Sequence, residues 1–217
     1  MKTRKLKKRP LYKEEVKDVL KKAILSGKLQ PGDRIVETQL AKSLGLSQSP
    51  VREAIQDLTT AGLIENIPYK GAFVKKITKK ELIDSYHVRI GLEHVGIQDA
   101  VREITDEKLD ELKAVLESME SAAAKQDFDG YIAGNIMFHQ LIMEISPNDL
   151  LVKFWNQSSV QTWTYIGTGF SEQPLVELAK RHYAIYDALK ARDAKKASFE
   201  AQRHIEELID QLNNDHD

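Results

Sequence analysis

The stretch Ser47-Gln48-Ser49-Pro50-Val51-Arg52-Glu53-Ala54-Ile55 decides how this chain is read. Ser49 suits a helix N-cap, and Pro50 suits the first helical position, where its missing N–H costs no hydrogen bond. Val51, Ala54, Ile55 and Leu58 then fall at helical spacing as a buried stripe, and Gly62 ends the helix. Working upstream, Leu40, Ala41 and Leu44 form the inner face of a short helix over about 37–44, which Gly45 stops. Before it, a helix over 11–26 carries Val16, Leu20, Ile24 and Leu25, ends at Gly27 and leads into a Pro31-Gly32 turn. Working downstream, the β runs 63–67 and 72–74 flank Pro68-Tyr69-Lys70-Gly71, a hairpin with a glycine at its tip.

Helix, helix–turn–helix and hairpin make a winged helix-turn-helix domain, assigned here to residues 1–77. In that plan the second helix of the pair lies in the major groove with its N-terminal residues against base edges. Ser47, Gln48, Ser49 and Arg52 occupy that end. Arg52 suits a fork onto guanine, and Gln48 suits a pair with adenine. The helix N-terminus favours a phosphate. Arg34 is placed for a backbone contact, and Gly71 lets the wing approach a groove closely. Each feature alone is ordinary: a solvated arginine, a helix start, a turn glycine. Their order and spacing carry the DNA reading.

Charge agrees. The chain's net charge is −1, but residues 1–78 hold 17 basic and 8 acidic side chains, a net of +9, whereas residues 79–217 hold 15 and 25, a net of −10. A basic module joined to an acidic one points to nucleic acid as the partner of the first. The other readings narrow on composition. With 217 residues, 41% hydrophobic and 30% charged, the chain has material for one large or two small cores. The absence of cysteine excludes disulfide scaffolds, thiolate metal sites and thiol nucleophiles. No apolar run approaches the roughly 18 residues that span a bilayer. The basic start 1–9 leads into Pro10 and a charged segment rather than the apolar core of a secretory signal. A cytoplasmic location with no membrane partner is the expectation.

From Thr78 the texture changes. Thr78-Lys79-Lys80-Glu81 reads as a capping box opening a helix to about residue 101. Further helical patterns cover about 105–124, 128–145, 149–165, 174–191 and 194–212, with Leu109, Leu112, Leu116, Met119 and Ala123 as one inner face. The fold expected is therefore mainly α: a winged helix-turn-helix with a small β-hairpin wing, then an all-α bundle of six or seven helices over 78–217. Residues 213–217 read as a frayed tail.

Three histidines lie on apolar faces of three different helices. His139 stands among Ile132, Ile136 and Met143; His182 among Leu178, Ile185 and Leu189; His204 among Ala197, Ala201 and Leu208. Asn135, one turn before His139, shares its face. A buried imidazole needs a partner. A shared metal would serve all three, and hydrogen-bonded core positions would serve each separately. His87 and His94 share one helix without an evident role, and His216 lies in the tail.

Residues 29–74 resemble the GntR family of bacterial transcription regulators. The carriers are Leu29-Gln30-Pro31-Gly32-Asp33-Arg34-Ile35, Gln39-Leu40-Ala41, the 47–55 stretch, Leu58 and Gly62-Leu63-Ile64. The resemblance places DNA contacts on Arg34, Ser47, Gln48, Ser49, Arg52 and Gly71. Gln48 stands where the family usually has Arg, which removes a charge and implies a changed base preference; Ser49 stands where it usually has Thr and keeps the hydroxyl cap. Residues 83–208 resemble the FCD (FadR-type) effector domain through Tyr86–Glu93, Asn135–Leu141, His182–Tyr186 with Ala188 and Asp193, and His204-Ile205. That resemblance implies a divalent metal, with zinc, nickel or manganese as candidates, on His139, His182 and His204. The family's aspartate position falls on Asn135, which removes one negative charge. Arg89 matches an arginine beside the effector pocket, where it would fork onto a carboxylate; a salt bridge to Glu93, one turn on, is equally open. Trp163 and Tyr165 would line the pocket or belong to the core.

The implied function is a ligand-responsive, homodimeric transcription regulator, most often a repressor, that binds a double-stranded operator and senses a small carboxylate. Two other classes compete. A metal-dependent enzyme with a DNA-binding head would need a general base near the histidines, and Asp129, the nearest candidate, reads better as a helix-start residue. An architectural DNA-binding protein would use the histidines structurally and ignore small molecules.

Overall fold

The computed structural model describes residues 9–158, 160–169, 171 and 173–214. The basic run over 2–8 and His216 fall outside them. Contacts divide the chain into two compact units, 1–78 and 79–217.

The first unit opens with α1 (Arg9–Leu25). Val16 and Leu20 are buried, and α1 packs on α3. Lys13 and Lys17 hold Asp57 of α3 at 2.8 and 3.5 Å. The helix pair is α2 (Glu37–Ser43) and α3 (Gln48–Thr60). The expected stripe Val51, Ala54, Ile55 and Leu58 is buried. The helix starts earlier than Ser49, however: Ser47 is the N-cap, with extended φ and ψ of −75° and 160°. Pro50 thus sits third in the helix, where a missing N–H is equally harmless because the first four N–H groups have no partner within the helix.

The wing has a strand more than expected. β1 (Arg34–Ile35), β2 (Ile64–Ile67) and β3 (Gly71–Val74) form an antiparallel sheet in the order β1-β3-β2. Arg34 pairs with Phe73, and Ile67 pairs with Gly71. Two residues are too few for alternation to show in sequence, so β1 was invisible there. Gly71 is not at the tip but opens β3; the turn is Pro68-Tyr69-Lys70, with Tyr69 at φ 63°.

The second unit contains α4 (Lys79–Glu103), α5 (Asp106–Ala124), α6 (Phe128–Ile145), α7 (Asp149–Gln157), α8 (Val160–Gly169), α9 (Leu175–Lys190) and α10 (Ala194–Asn214). Side chains cap several of their starts: Thr105, Asp127, Asn148 and Asp193 accept from the N–H groups of Lys108, Gly130, Leu151 and Lys196. The pattern over 149–165 is two helices rather than one. Ser158 is the C-cap of α7: its N–H makes the last helical bond, to Phe154 O at 2.9 Å, and its hydroxyl takes the Trp155 carbonyl at 2.7 Å, which satisfies an acceptor at the helix end. At the other end, α10 continues through Asn213 and Asn214, beyond the end expected at about residue 212.

α4 is the spine of this unit. It packs against α6, α7, α8, α9 and α10, while α5 covers α6 and α9. A Cβ at Gly96 would lie 2.2 Å from the Met143 methyl, so the bare backbone there is what lets α6 come close. Arg192, in the α9–α10 turn, donates to Val101 O and Ile104 O at 3.2 and 2.7 Å and satisfies carbonyls at the end of α4. Tyr86, Tyr131 and Phe138 are among the largest fully buried side chains, and they surround the region where α4, α6, α9 and α10 converge.

Candidate functional site

On the first unit, Ser47 and Gln48 are exposed at the start of α3, and Ser49 is half-buried. The Ser49 hydroxyl donates to Glu53 Oε1 at 2.9 Å. Arg52 projects from the next turn with 66% of its side chain exposed, while its Nε bonds Glu37 Oε2 at 3.0 Å. At the wing, Gly71 has φ 101°, a conformation in which a Cβ is strained. A Cβ built there would sit 3.8 Å from Arg34 Nη2, so the two wing positions read from sequence are neighbours in space. Glu37 was not singled out in the sequence; its place in the first turn of α2 looks like a simple helix-start acid.

On the second unit, all four polar residues of the expected cluster are buried: Asn135, His139, His182 and His204. One ring nitrogen from each histidine lies within 4.8 Å of the others. The His182 and His204 ring centres are 4.4 Å apart, and His139 stacks on His204 at 5.7 Å. Phe138 packs edge-on against both His139 and His182. Burial pulls all three histidine pKa values down, His182 to about 3, so the imidazoles are neutral at pH 7.

Neutral rings expose lone pairs, and the neighbours decide which ones. His182 Nδ1 lies 3.1 and 3.2 Å from Leu178 O and Ala179 O, so it carries the proton and Nε2 is the acceptor. His139 Nδ1 lies 2.9 Å from Glu93 Oε1, which again frees Nε2. Among the described residues, His139 Nε2, both nitrogens of His204 and Asn135 Oδ1 have no hydrogen-bond partner. Burying an unpaired polar atom costs about 1–3 kcal/mol each. Hydrogen-bonded core histidines would not leave such a set in one place, whereas the donor set suits a borderline divalent cation. The Asn135 amide nitrogen faces Tyr131 Oη at 3.3 Å and His182 Nε2 at 3.1 Å, and a half-turn of the amide exchanges nitrogen for oxygen.

Arg89 is buried beside this cluster. The salt bridge to Glu93 is formed: Nε donates to Oε1 at 2.7 Å, and Nη1 donates to Thr164 Oγ1 at 3.0 Å. Only Nη2 of its donors lacks a partner among the described residues. Glu93 is ionised. Burial opposes this, but His139 and Arg89 together hold its pKa at about 2. Tyr165 points elsewhere, its hydroxyl donating to Asp129 at 3.2 Å at the start of α6. Glu93, Thr164 and Tyr131 are the site residues that sequence reading did not place, although the i, i+4 spacing from Arg89 to Glu93 was visible.

A winged helix-turn-helix unit followed by an all-helical unit with a buried polar centre defines a DNA-binding transcription regulator. The comparisons make this specific. The FCD domain matches residues 84–207, and the gntR family of bacterial regulatory proteins matches residues 12–74. The chain belongs to the GntR family, in its FCD-domain subgroup. It is 29% identical over 191 residues to a probable D-xylose utilization operon transcriptional repressor of Paenarthrobacter nicotinovorans, covering 88% of this chain and 84% of that one. It is 29% identical over 186 residues to the transcriptional regulator McbR of Escherichia coli, covering 82% of each. The solved structure of E. coli McbR/YncC superposes with a TM-score of 0.78 at 26% identity, covering 95% of this chain and 99% of that one. Among the described residues no helix is long and apolar enough to cross a membrane.

Proposed function

We propose that this regulator is a homodimeric repressor whose helical domain holds a divalent metal and senses a small organic acid. The observation that carries the reading is the convergence of His139, His182, His204 and Asn135 in one buried place, where His139 Nε2, both His204 nitrogens and Asn135 Oδ1 have no hydrogen-bond partner among the described residues and the His182 Nε2 lone pair faces the Asn135 amide. These residues would hold the ion, Asn135 through its amide oxygen. When bound, the ion supplies a Lewis-acidic anchor for an oxygen of the ligand. Arg89 orients the ligand's carboxylate through Nη2, a single-point contact rather than a fork, because Nε is committed to Glu93.

DNA contacts fall to Arg34, Ser47, Gln48, Ser49, Arg52 and Gly71. Their support is exposure on one helix start and one wing, joined to the GntR match. Pairing two such heads calls for a dimer on a pseudo-palindromic operator. An uncovered apolar face supports it: α4 exposes Val88, Gly91 and Val95, and α7, packed on α4, exposes Leu150 and Phe154.

The test is metal content of the purified protein beside a His182→Ala variant. About one equivalent per chain in the wild type, lost in the variant, supports the reading. No uptake after incubation with zinc, nickel or manganese sinks it. Sedimentation of wild type against Val88→Asp tests the dimer face, which predicts that the variant sediments as a monomer.

A further inference from the structure

Glu93 does something that neither a metal ligand nor a ligand anchor does. It is buried on α4 and shares a single carboxylate oxygen between two elements of the site. Oε1 accepts from Arg89 Nε at 2.7 Å and from His139 Nδ1 at 2.9 Å, while Oε2 has no partner among the described residues.

The charge balance gives this arrangement its meaning. Three neutral imidazoles and the neutral amide of Asn135 bring no negative charge to the cluster. A divalent ion in a buried site without a compensating anion is costly. The carboxylate that touches the cluster is Glu93, one imidazole away. By accepting from Nδ1 it fixes the His139 tautomer, aims the Nε2 lone pair at the cluster and makes the ring a better donor. Arg89 draws on the same oxygen, and its positive charge offsets the one that the ion would need. Arg89 therefore works against metal binding through Glu93, and an anion on its free Nη2 removes that opposition.

We infer that Glu93 is a positioning residue that couples the two halves of the site, so that metal and anionic ligand each tighten the other through the shared carboxylate oxygen. This rests on the metal reading above. By linkage the coupling is reciprocal.

The experiment uses the full chain, stripped with a chelator and titrated with Zn²⁺ against a chromophoric competitor, with and without acetate as the carboxylate probe. Glu93→Gln keeps an acceptor oxygen but loses the charge; its zinc affinity is expected to fall about 10–100-fold, the usual size for such an outer partner. Arg89→Gln is expected to change affinity in the opposite direction and to abolish any effect of acetate. A purely structural ion pair would lower affinity in both variants. Because Glu93→Gln leaves Arg89 buried without its counter-charge, the double variant Glu93→Gln/Arg89→Gln serves as the folding control. It is expected to fold, by circular dichroism and thermal unfolding, and to bind zinc as weakly as Glu93→Gln. Wild-type zinc affinity in Glu93→Gln, with binding lost in His182→Ala, overturns the Glu93 role and leaves the metal reading standing. No zinc uptake by the wild type overturns both.

Discussion

Arg52 of α3 is held 3.0 Å from Glu37 of α2, across the turn of the helix-turn-helix, while most of its side chain stays in solvent. The pair joins the two helices at the end of α3 assigned to base reading. Arg52 is thus partly oriented before any DNA arrives. Arg52→Ala is expected to cost about 1–3 kcal/mol in binding to an operator selected from a random pool by the wild type, and to relax one base position. Equal affinity of mutant and wild type would remove α3 from the major groove. Glu37→Gln should weaken the same complex by less than about 1 kcal/mol, the scale of an exposed ion pair.

Gly71 and Arg34 meet at the wing. Gly71→Ala forces a side chain into φ 101° beside the Arg34 guanidinium. It should destabilise the first unit by about 1 kcal/mol or more. Arg34→Ala should leave stability alone, weaken binding to all sequences alike and reduce the salt dependence of DNA affinity by about one unit of slope. A sequence-selective loss in Arg34→Ala would mean that it reads a base.

Phe138 is fully buried and meets the rings of both His139 and His182 edge-on, with centres 5.4 and 5.3 Å away. Phe138→Ala should cost about 3–5 kcal/mol of stability, the range for deleting a buried aromatic ring. Chemical denaturation of the variant measures it. A loss below 1 kcal/mol would show that the core around the histidines is loosely packed.

Asp57 supplies a pH dependence to the first unit. Burial pushes its pKa up, but Lys13 and Lys17 outweigh this and hold it below the usual carboxylate value. The folded pKa is therefore the lower one. The stabilisation is present above the unfolded value and is lost as pH falls through the folded one, that is, below about pH 4. The group is partly exposed, so the effect should stay under about 1 kcal/mol. Asp57→Asn should flatten this part of the stability profile, and an unchanged slope would mean that the lysine contacts carry no net energy.

Zinc should raise the unfolding temperature in a concentration-dependent way, by about 2.7 kcal/mol of stability at a hundredfold excess over Kd. His204→Ala should abolish the rise. A rise that survives in that variant would place the ion elsewhere.

What the sequence determined by itself was everything written in local periodicity and turn chemistry. Helical spacing found the buried faces of α3 and α5, glycines marked the helix ends, and the 47–55 stretch with its neighbours defined the DNA-binding unit. The same spacing put His139, His182 and His204 on apolar faces, because a helix shows which side of itself is buried. It does not show what lies opposite. The tertiary structure decided that the three rings face one another, that Glu93 reaches across from α4 to His139 on α6, and that Arg89 spends its Nε on that same carboxylate. It also decided the meeting of Gly71 with Arg34, where a two-residue strand is too short to leave a pattern. The break between α7 and α8 belongs here too: the apolar period runs on through Ser158, whereas α7 stops there, with the serine hydroxyl on the Trp155 carbonyl. The contacts of Glu93 with His139 and of Gly71 with Arg34 join residues dozens of positions apart, and they depend on how elements pack rather than on the repeat within any one of them.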